Sequence, residues 1–127
     1  MKYILSTLLL ITSQLYASPI EALGSSLGFG TFDGQTESGE KCSVEIDKLS
    51  SGAVRIYLFN PRVHKFEFQE SDFFEESENG LKISAPTFEE DGAHITNSFI
   101  VKGKIVGIER EFCTYKCWTS MRPCILY

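Results

Sequence analysis

The residues of this chain best suited to chemistry lie in the segment FCTYKCWTSMRPC, residues 112–124, which holds three of the four cysteines. The fourth, Cys42, lies far upstream. Such a set can ligate zinc, form a redox pair or form two disulfides. Zinc sites usually contain two tight cysteine pairs and redox sites a Cys-x-x-Cys pair, and neither spacing occurs here. The spacing therefore favours two disulfides, with no metal and no cofactor.

The pairing of these cysteines depends on the segment TYK, residues 114–116, which contains no turn residue and has high strand propensity. A strand running straight through it would hold Cys113 and Cys117 about 13 Å apart, beyond the roughly 7 Å that a disulfide spans. Pro123 lies in a plausible turn between Cys117 and Cys124. We therefore expect two pairs: Cys42–Cys113 and Cys117–Cys124.

The N-terminal sequence MKYILSTLLLITSQLYASPIE has the layout of a secretory signal peptide. Lys2 precedes an apolar run, and Ala17 offers a small residue at the cleavage position. The apolar run is much shorter than the roughly 20 residues that span a bilayer. We predict a signal peptide at 1–17 and a single domain at 18–127, periplasmic or secreted, without stable membrane insertion. An oxidising compartment also favours disulfides.

Turn signals divide the rest of the chain into short segments rich in Val, Ile, Phe and Tyr. Asn79-Gly80 and Asp91-Gly92 are the strongest of them, because a type I′ hairpin turn needs positive φ at both central residues. Several segments alternate at period two, as in the face shared by Val54, Ile56 and Leu58. This is the pattern of half-buried antiparallel strands.

The segments predict eight strands and a short terminal one. They cover 28–36, 41–49, 53–60, 63–70, 81–88, 94–101, 104–112, 115–120 and, at the terminus, 124–127. We expect the segment ESDFFEES, residues 70–77, to be a loop or a turn of helix, and residues 18–27 to be a helical or irregular lead-in. The fold class predicted is all-β, a small antiparallel up-and-down meander of about eight strands, stapled by disulfides. A closed barrel is favoured over a sandwich, because closure removes exposed strand edges.

The segment GFGTFDG, residues 28–34, resembles the Gly-x-Trp opening strand of lipocalin-like barrels, with Phe32 in place of the tryptophan. The resemblance covers only this strand. It is a resemblance of architecture and implies a barrel, not a function. Because a barrel can enclose an apolar cavity, a lipocalin-like carrier of a small apolar ligand is the alternative function.

Acidic residues cluster between Glu67 and Asp91, where nine carboxylates face one lysine, Lys82. Such a cluster either keeps the surface soluble or attracts a basic partner. The pair Phe73-Phe74 lies within this acidic stretch and either caps the core or supplies a binding anchor. The candidate binding residues are Phe73, Phe74, Glu75, Glu76, Glu89, Glu90 and Asp91.

The sequence shows no clear catalytic constellation. No serine or free cysteine has an obvious catalytic partner, and the two histidines, His64 and His94, would share a site only if their strand ends met. A net charge of −5 disfavours nucleic acid as a partner. We expect an exported, non-enzymatic binding module of the cell envelope or secreted space, with a basic protein as its partner, for example as an inhibitor.

Overall fold

The structure is a computed structural model that describes residues 18–127. The predicted signal peptide at 1–17 lies outside the described residues. One helix, α1 (Pro19–Ser26), opens the described chain. Ser18 caps it, because its hydroxyl accepts a hydrogen bond from the backbone N–H of Glu21 at 3.2 Å. Leu23 is fully buried, so α1 belongs to the core, as the predicted helical lead-in allowed.

Eleven strands follow α1 among the described residues. They are β1 (Gly30–Gln35), β2 (Lys41–Lys48), β3 (Val54–Phe59), β4 (Val63–Phe68), β5 (Phe73–Ser77), β6 (Gly80–Ser84), β7 (Phe88–Glu90), β8 (Ala93–Lys102), β9 (Ile105–Cys113), β10 (Cys117–Met121) and β11 (Cys124–Leu126). All pairings are antiparallel, which confirms the all-β class.

The strands form a single sheet in the order β4-β3-β2-β1-β11-β9-β8-β6-β5. The last strand, β11, lies between β1 and β9 and interrupts the meander. Strands β6 and β7 both pair with β8, each with a different stretch of that strand. In the same way, β11 and β10 both pair with β9. One end of the sheet is therefore built from β7, the start of β8, the end of β9, and β10.

The closed barrel is wrong, because the sheet is open, and eleven strands exceed the eight predicted. The terminal strands β4 and β5 do not pair with each other. Instead the sheet curves until Phe66 of β4 stacks on Phe99 of β8, with ring centroids 6.4 Å apart. Helix α1 packs against β5 and β6. The interior is therefore covered by packed side chains and by α1, and not by hydrogen bonds between β4 and β5.

Two segments account for most of the additional strands. The segment predicted as a loop or helical turn at 70–77 contains strand β5, which pairs with β6 along its whole length. The segment predicted as one strand at 81–88 is two strands, β6 and β7, separated around Pro86. Proline lacks the N–H that a ladder needs, which explains the break.

The core lies on the concave face of the curved sheet. The predicted alternation is confirmed on β2 and β3, where Val44, Ile46, Val54, Ile56 and Leu58 are all buried. Large aromatic side chains complete the core. The three most important are Phe66, Phe68 and Phe99, each of which is almost wholly inaccessible to solvent.

The four cysteines form two disulfides, as predicted, but the pairing differs from the one expected. The bonds join Cys42 to Cys124 and Cys113 to Cys117. Residues 114–116 form a tight turn, not a continuing strand, and Cys113 lies directly opposite Cys117 in the β9–β10 hairpin. The expected pairs Cys42–Cys113 and Cys117–Cys124 are therefore wrong.

The hairpin turns were predicted with partial success. Asp91 and Gly92 both have positive φ, 51° and 81°, as a type I′ turn requires. In the β5–β6 hairpin, by contrast, Gly80 is already the first residue of β6 and pairs with Ser77. A Cβ at Gly80 would overlap the backbone of β8 at Val101, so this glycine serves close strand approach rather than the centre of the turn.

Candidate binding face

The predicted binding residues lie in two places. Phe73, Phe74, Glu75 and Glu76 are on β5, an edge strand of the sheet. Of the two phenylalanines, Phe73 is 65% exposed, whereas Phe74 packs against the core. The remaining three residues, Glu89, Glu90 and Asp91, lie on β7 and in the turn to β8.

The two acidic groups are far apart along β8. Glu76 is level with Val101, through its pairing with Leu81, whereas Glu89 lies opposite His94. Seven residues of β8 separate these levels, which corresponds to roughly 23 Å at the rise of a strand. The structure therefore does not bring the predicted acidic residues into one compact patch.

The two histidines face opposite sides of the sheet. His64 lies opposite the buried Leu58 and therefore points to the concave face. His94 lies opposite Cys113 on the convex face, with its Nε2 atom 3.9 Å from a carboxylate oxygen of Glu89. The histidine site considered from the sequence is thus not formed.

A row of apolar side chains crosses the end of the sheet on its concave face. Phe88 pairs with Ile95, Ile95 with Phe112, and Phe112 with Trp118, on β7, β8, β9 and β10 in turn. Directly opposed residues of antiparallel strands share a face. Ile95 is buried beneath its neighbours, whereas the three aromatic side chains remain partly exposed. The row continues the core into an accessible surface.

The turn of the β9–β10 hairpin adds a fourth aromatic ring. Tyr115 is 89% exposed and meets Trp118 edge-on, with centroids 6.5 Å apart. Trp118 also contacts Phe112 at 6.1 Å. The ammonium of Lys116 lies 5.9 Å from the Tyr115 ring and 5.5 Å from the Trp118 ring. We call the surface formed by Phe88, Phe112, Tyr115, Lys116 and Trp118 the aromatic face.

The disulfide Cys113–Cys117 braces this hairpin from behind. Both cysteines lie on the convex side, one residue along each strand from Phe112 and Trp118. Glu111 lies close to both sulfurs, and the three ligand atoms fall within 4.8 Å of one another. Because both sulfurs are bonded to each other, they offer no thiolate to a metal. The disulfide holds the short turn and thereby the aromatic face.

Sequence reasoning missed the aromatic face, although its signal was present. Phe112, Tyr115 and Trp118 all lie in the cysteine-rich segment, within seven residues of chain. Reading residues 114–116 as a continuous strand hid their convergence, since only a turn folds Trp118 back onto Phe112. The contribution of Phe88 depends on a strand pairing that local sequence does not specify.

Comparisons with known proteins give no relative: no family model, curated protein or solved structure matches this chain. Within residues 18–127, no helix is both long enough and apolar enough to cross a bilayer.

Proposed function

We propose that this chain is an exported, non-enzymatic binding module that recognises a protein partner through its aromatic face. The observation that carries the proposal is the exposed cluster of Phe112, Tyr115 and Trp118 on a disulfide-braced hairpin. Tryptophan and tyrosine are over-represented among the residues that dominate binding energies. Rings held by mutual contacts and a covalent brace lose little conformational freedom on binding, which favours affinity.

Export is part of the proposal. Two disulfides are typical of proteins that fold in an oxidising compartment. The proposed signal peptide at 1–17 would deliver the chain there. The Cys42–Cys124 disulfide is buried in the core, and the Cys113–Cys117 disulfide stabilises the β9–β10 hairpin. The stability of the fold and the shape of the proposed binding surface therefore both depend on oxidation of the cysteines.

The ammonium of Lys116, over the Tyr115 and Trp118 rings, suits a partner surface with an acidic residue beside an apolar centre. The basic partner predicted from the sequence would instead use the carboxylates of β5 or of the β7–β8 turn. Those two acidic groups lie at separate levels of β8, so neither matches the contiguous area of the aromatic face. We therefore favour the aromatic face as the recognition surface.

A carrier of small apolar ligands receives less support. Phe66, Phe68 and Phe99 occupy the interior where a lipocalin-like cavity would lie. The large cleft at the mouth of the sheet is lined in part by Lys65, Arg110 and Arg122, which suit an anion better than an apolar molecule. An apolar ligand in that cleft would have to displace water from the cationic groups that line it.

Site-specific photo-crosslinking tests the proposal. A benzoylphenylalanine would replace Tyr115 in one variant and Phe73 in another, both exposed aromatic positions. Each variant would be exported by the producing cell and irradiated. We expect a discrete crosslinked product from position 115 that is lost when Trp118→Ala is added. Crosslinking from position 73 alone would overturn the proposal in favour of the acidic strand, and identical products from both positions would overturn it as nonspecific.

A further inference from the structure

A cleft of about 750 Å³ opens on the concave side of the sheet. One wall comes from β3, β4 and the turn between them, and the other from β8, β9, β10 and the turn before β11. Its polar lining comes from Asn60, His64, Lys65, Asn97, Arg110, Ser120 and Arg122. Its volume is within the range of small-molecule sites, which is roughly 300–1,000 Å³.

The charge of this cleft is opposite to that of the whole chain. Lys65, Arg110 and Arg122 line it together with His64, and no carboxylate does, although the chain carries a net charge of −5. Within the described residues, none of these four side chains forms an ion pair. Lys82, on the convex face, instead forms an ion pair with Glu109, with the Nζ and Oε1 atoms 3.1 Å apart. The cleft therefore brings together cations that no carboxylate of residues 18–127 pairs with.

The polar wall of the cleft is set by strand register. Asn97 pairs with Arg110, and Arg110 pairs with Ser120, so the three side chains form a row across β8, β9 and β10. Leu58 and Ile108 supply apolar surface beside this row. A guanidinium flanked by an amide and a hydroxyl can bind an anionic oxygen and a neighbouring polar group together.

Asn60 provides an independent indication of a ligand. Its side chain is 3% exposed, and its Nδ2 donates to the carbonyl oxygen of Arg122 at 2.7 Å. Its Oδ1 accepts no hydrogen bond within the described part of the chain. A buried acceptor without a donor is costly, so such groups usually bind water or a ligand. Asn60 is one of the residues that line the cleft, so a hydrogen-bond donor bound next to it would supply the partner that this oxygen lacks.

We propose that the cleft binds a small organic anion in which a carboxylate or phosphate lies next to a hydroxyl group. Arg110 and Arg122 would bind the anionic oxygens, and Asn60 would accept a hydrogen bond from the hydroxyl. This site is distinct from the aromatic face and does not depend on the proposed protein partner. Arg110 lies two residues from Phe112, so the two sites adjoin on the concave side.

An NMR titration of the oxidised protein tests this proposal, with amide shifts followed as ligand is added. The probes are D-glucuronate, D-glucose, which lacks the carboxylate, and inorganic phosphate. We expect saturable shifts at Asn97, Arg110 and Ser120 with glucuronate, weaker at high salt, and none with glucose. Tighter binding of phosphate than of glucuronate would assign the site to phosphate compounds. No saturable shift with either anion at millimolar concentrations would overturn the proposal.

Variants separate the cleft from general charge effects. Arg110→Gln should weaken glucuronate binding roughly tenfold or more, since it removes a charge-assisted hydrogen bond. Lys102→Gln makes the same change of charge outside the cleft and should alter the affinity less than twofold. Asn97→Asp places a carboxylate beside Arg110 and should abolish anion binding. Equal weakening by Arg110→Gln and Lys102→Gln, or unchanged binding by Asn97→Asp, would contradict the site.

Discussion

The two disulfides should contribute very differently to stability. The bond Cys42–Cys124 joins residues 82 apart in sequence, whereas Cys113–Cys117 joins residues 4 apart. In the chain-entropy model, the first stabilises the fold by about 4.5 kcal/mol and the second by about 2 kcal/mol. Cys42 and Cys124 are also buried beside the core, so their removal loses packing as well. The difference between the bonds should therefore be at least about 2.5 kcal/mol.

Two double variants measure this difference without leaving free thiols: C42A/C124A and C113A/C117A. Guanidinium denaturation of each gives the free energy of unfolding relative to the oxidised parent protein. At about 4 °C per kcal/mol for a domain of this size, the midpoints of thermal unfolding should fall by about 18 °C and 8 °C. Similar losses in the two variants, or a larger loss in C113A/C117A, would refute the assignment of the long-range bond as the main staple.

Three further predictions follow from burial and backbone contacts. Phe68→Ala should lower the free energy of unfolding by about 3–5 kcal/mol and Phe73→Ala by less than about 0.5 kcal/mol, because only Phe68 is buried. Denaturant titration of the two variants measures both losses, and equal losses would contradict the burial of Phe68. Gly34→Ala should destabilise more than Gly39→Ala, since a Cβ at Gly34 overlaps the carbonyl oxygen of Ile125, whereas a Cβ at Gly39 enters open space and costs only the strain of its positive φ of 89°; equal midpoints of thermal unfolding would refute it. The exposed hairpin disulfide should be reduced before the buried one, which stepwise reduction, alkylation and mass spectrometry would detect; earlier loss of the buried bond would contradict the structure.

The sequence was sufficient to predict the class of fold because the class follows from local patterns. The alternation of Val54, Ile56 and Leu58 specifies a half-buried strand wherever that strand lies in the sheet. Asp91-Gly92 specifies a tight turn for a similar reason, since few residues accept positive φ at little cost. These features depend on neighbours in the chain and need no tertiary information.

Closure of the sheet and the pairing of cysteines could not be predicted in this way. Closure depends on whether β4 and β5, the two edges, meet. The disulfide between Cys124 and Cys42 forms only because β11 lies between β1 and β9. Gly34 of β1 pairs with Cys42 of β2 on one side and with Leu126 of β11 on the other, which brings the two cysteine-bearing strands close together. Such placements result from the balance of packing across the whole domain.

The candidate sites were hidden for related reasons. The turn at 114–116 contains none of the usual turn residues, so local propensity favoured a strand there and concealed the aromatic face. The basic cleft combines Leu58 and Arg122, which are more than sixty residues apart in sequence. Its cationic residues are scattered along the chain. The pairing of Arg110 with Asn97 likewise depends on strand register, which local sequence does not specify. The acidic stretch was conspicuous in the sequence, yet its carboxylates separate in space.

The most direct test of recognition through the aromatic face is the affinity of Trp118→Ala for the partner identified by crosslinking, compared with that of Phe73→Ala. Both variants remove a partly exposed aromatic ring, and Trp118 is the chain's one tryptophan. We predict that Trp118→Ala weakens binding roughly 30-fold, equivalent to about 2 kcal/mol, and that Phe73→Ala changes it less than twofold. Equal effects, or a larger loss with Phe73→Ala, would contradict the proposed function.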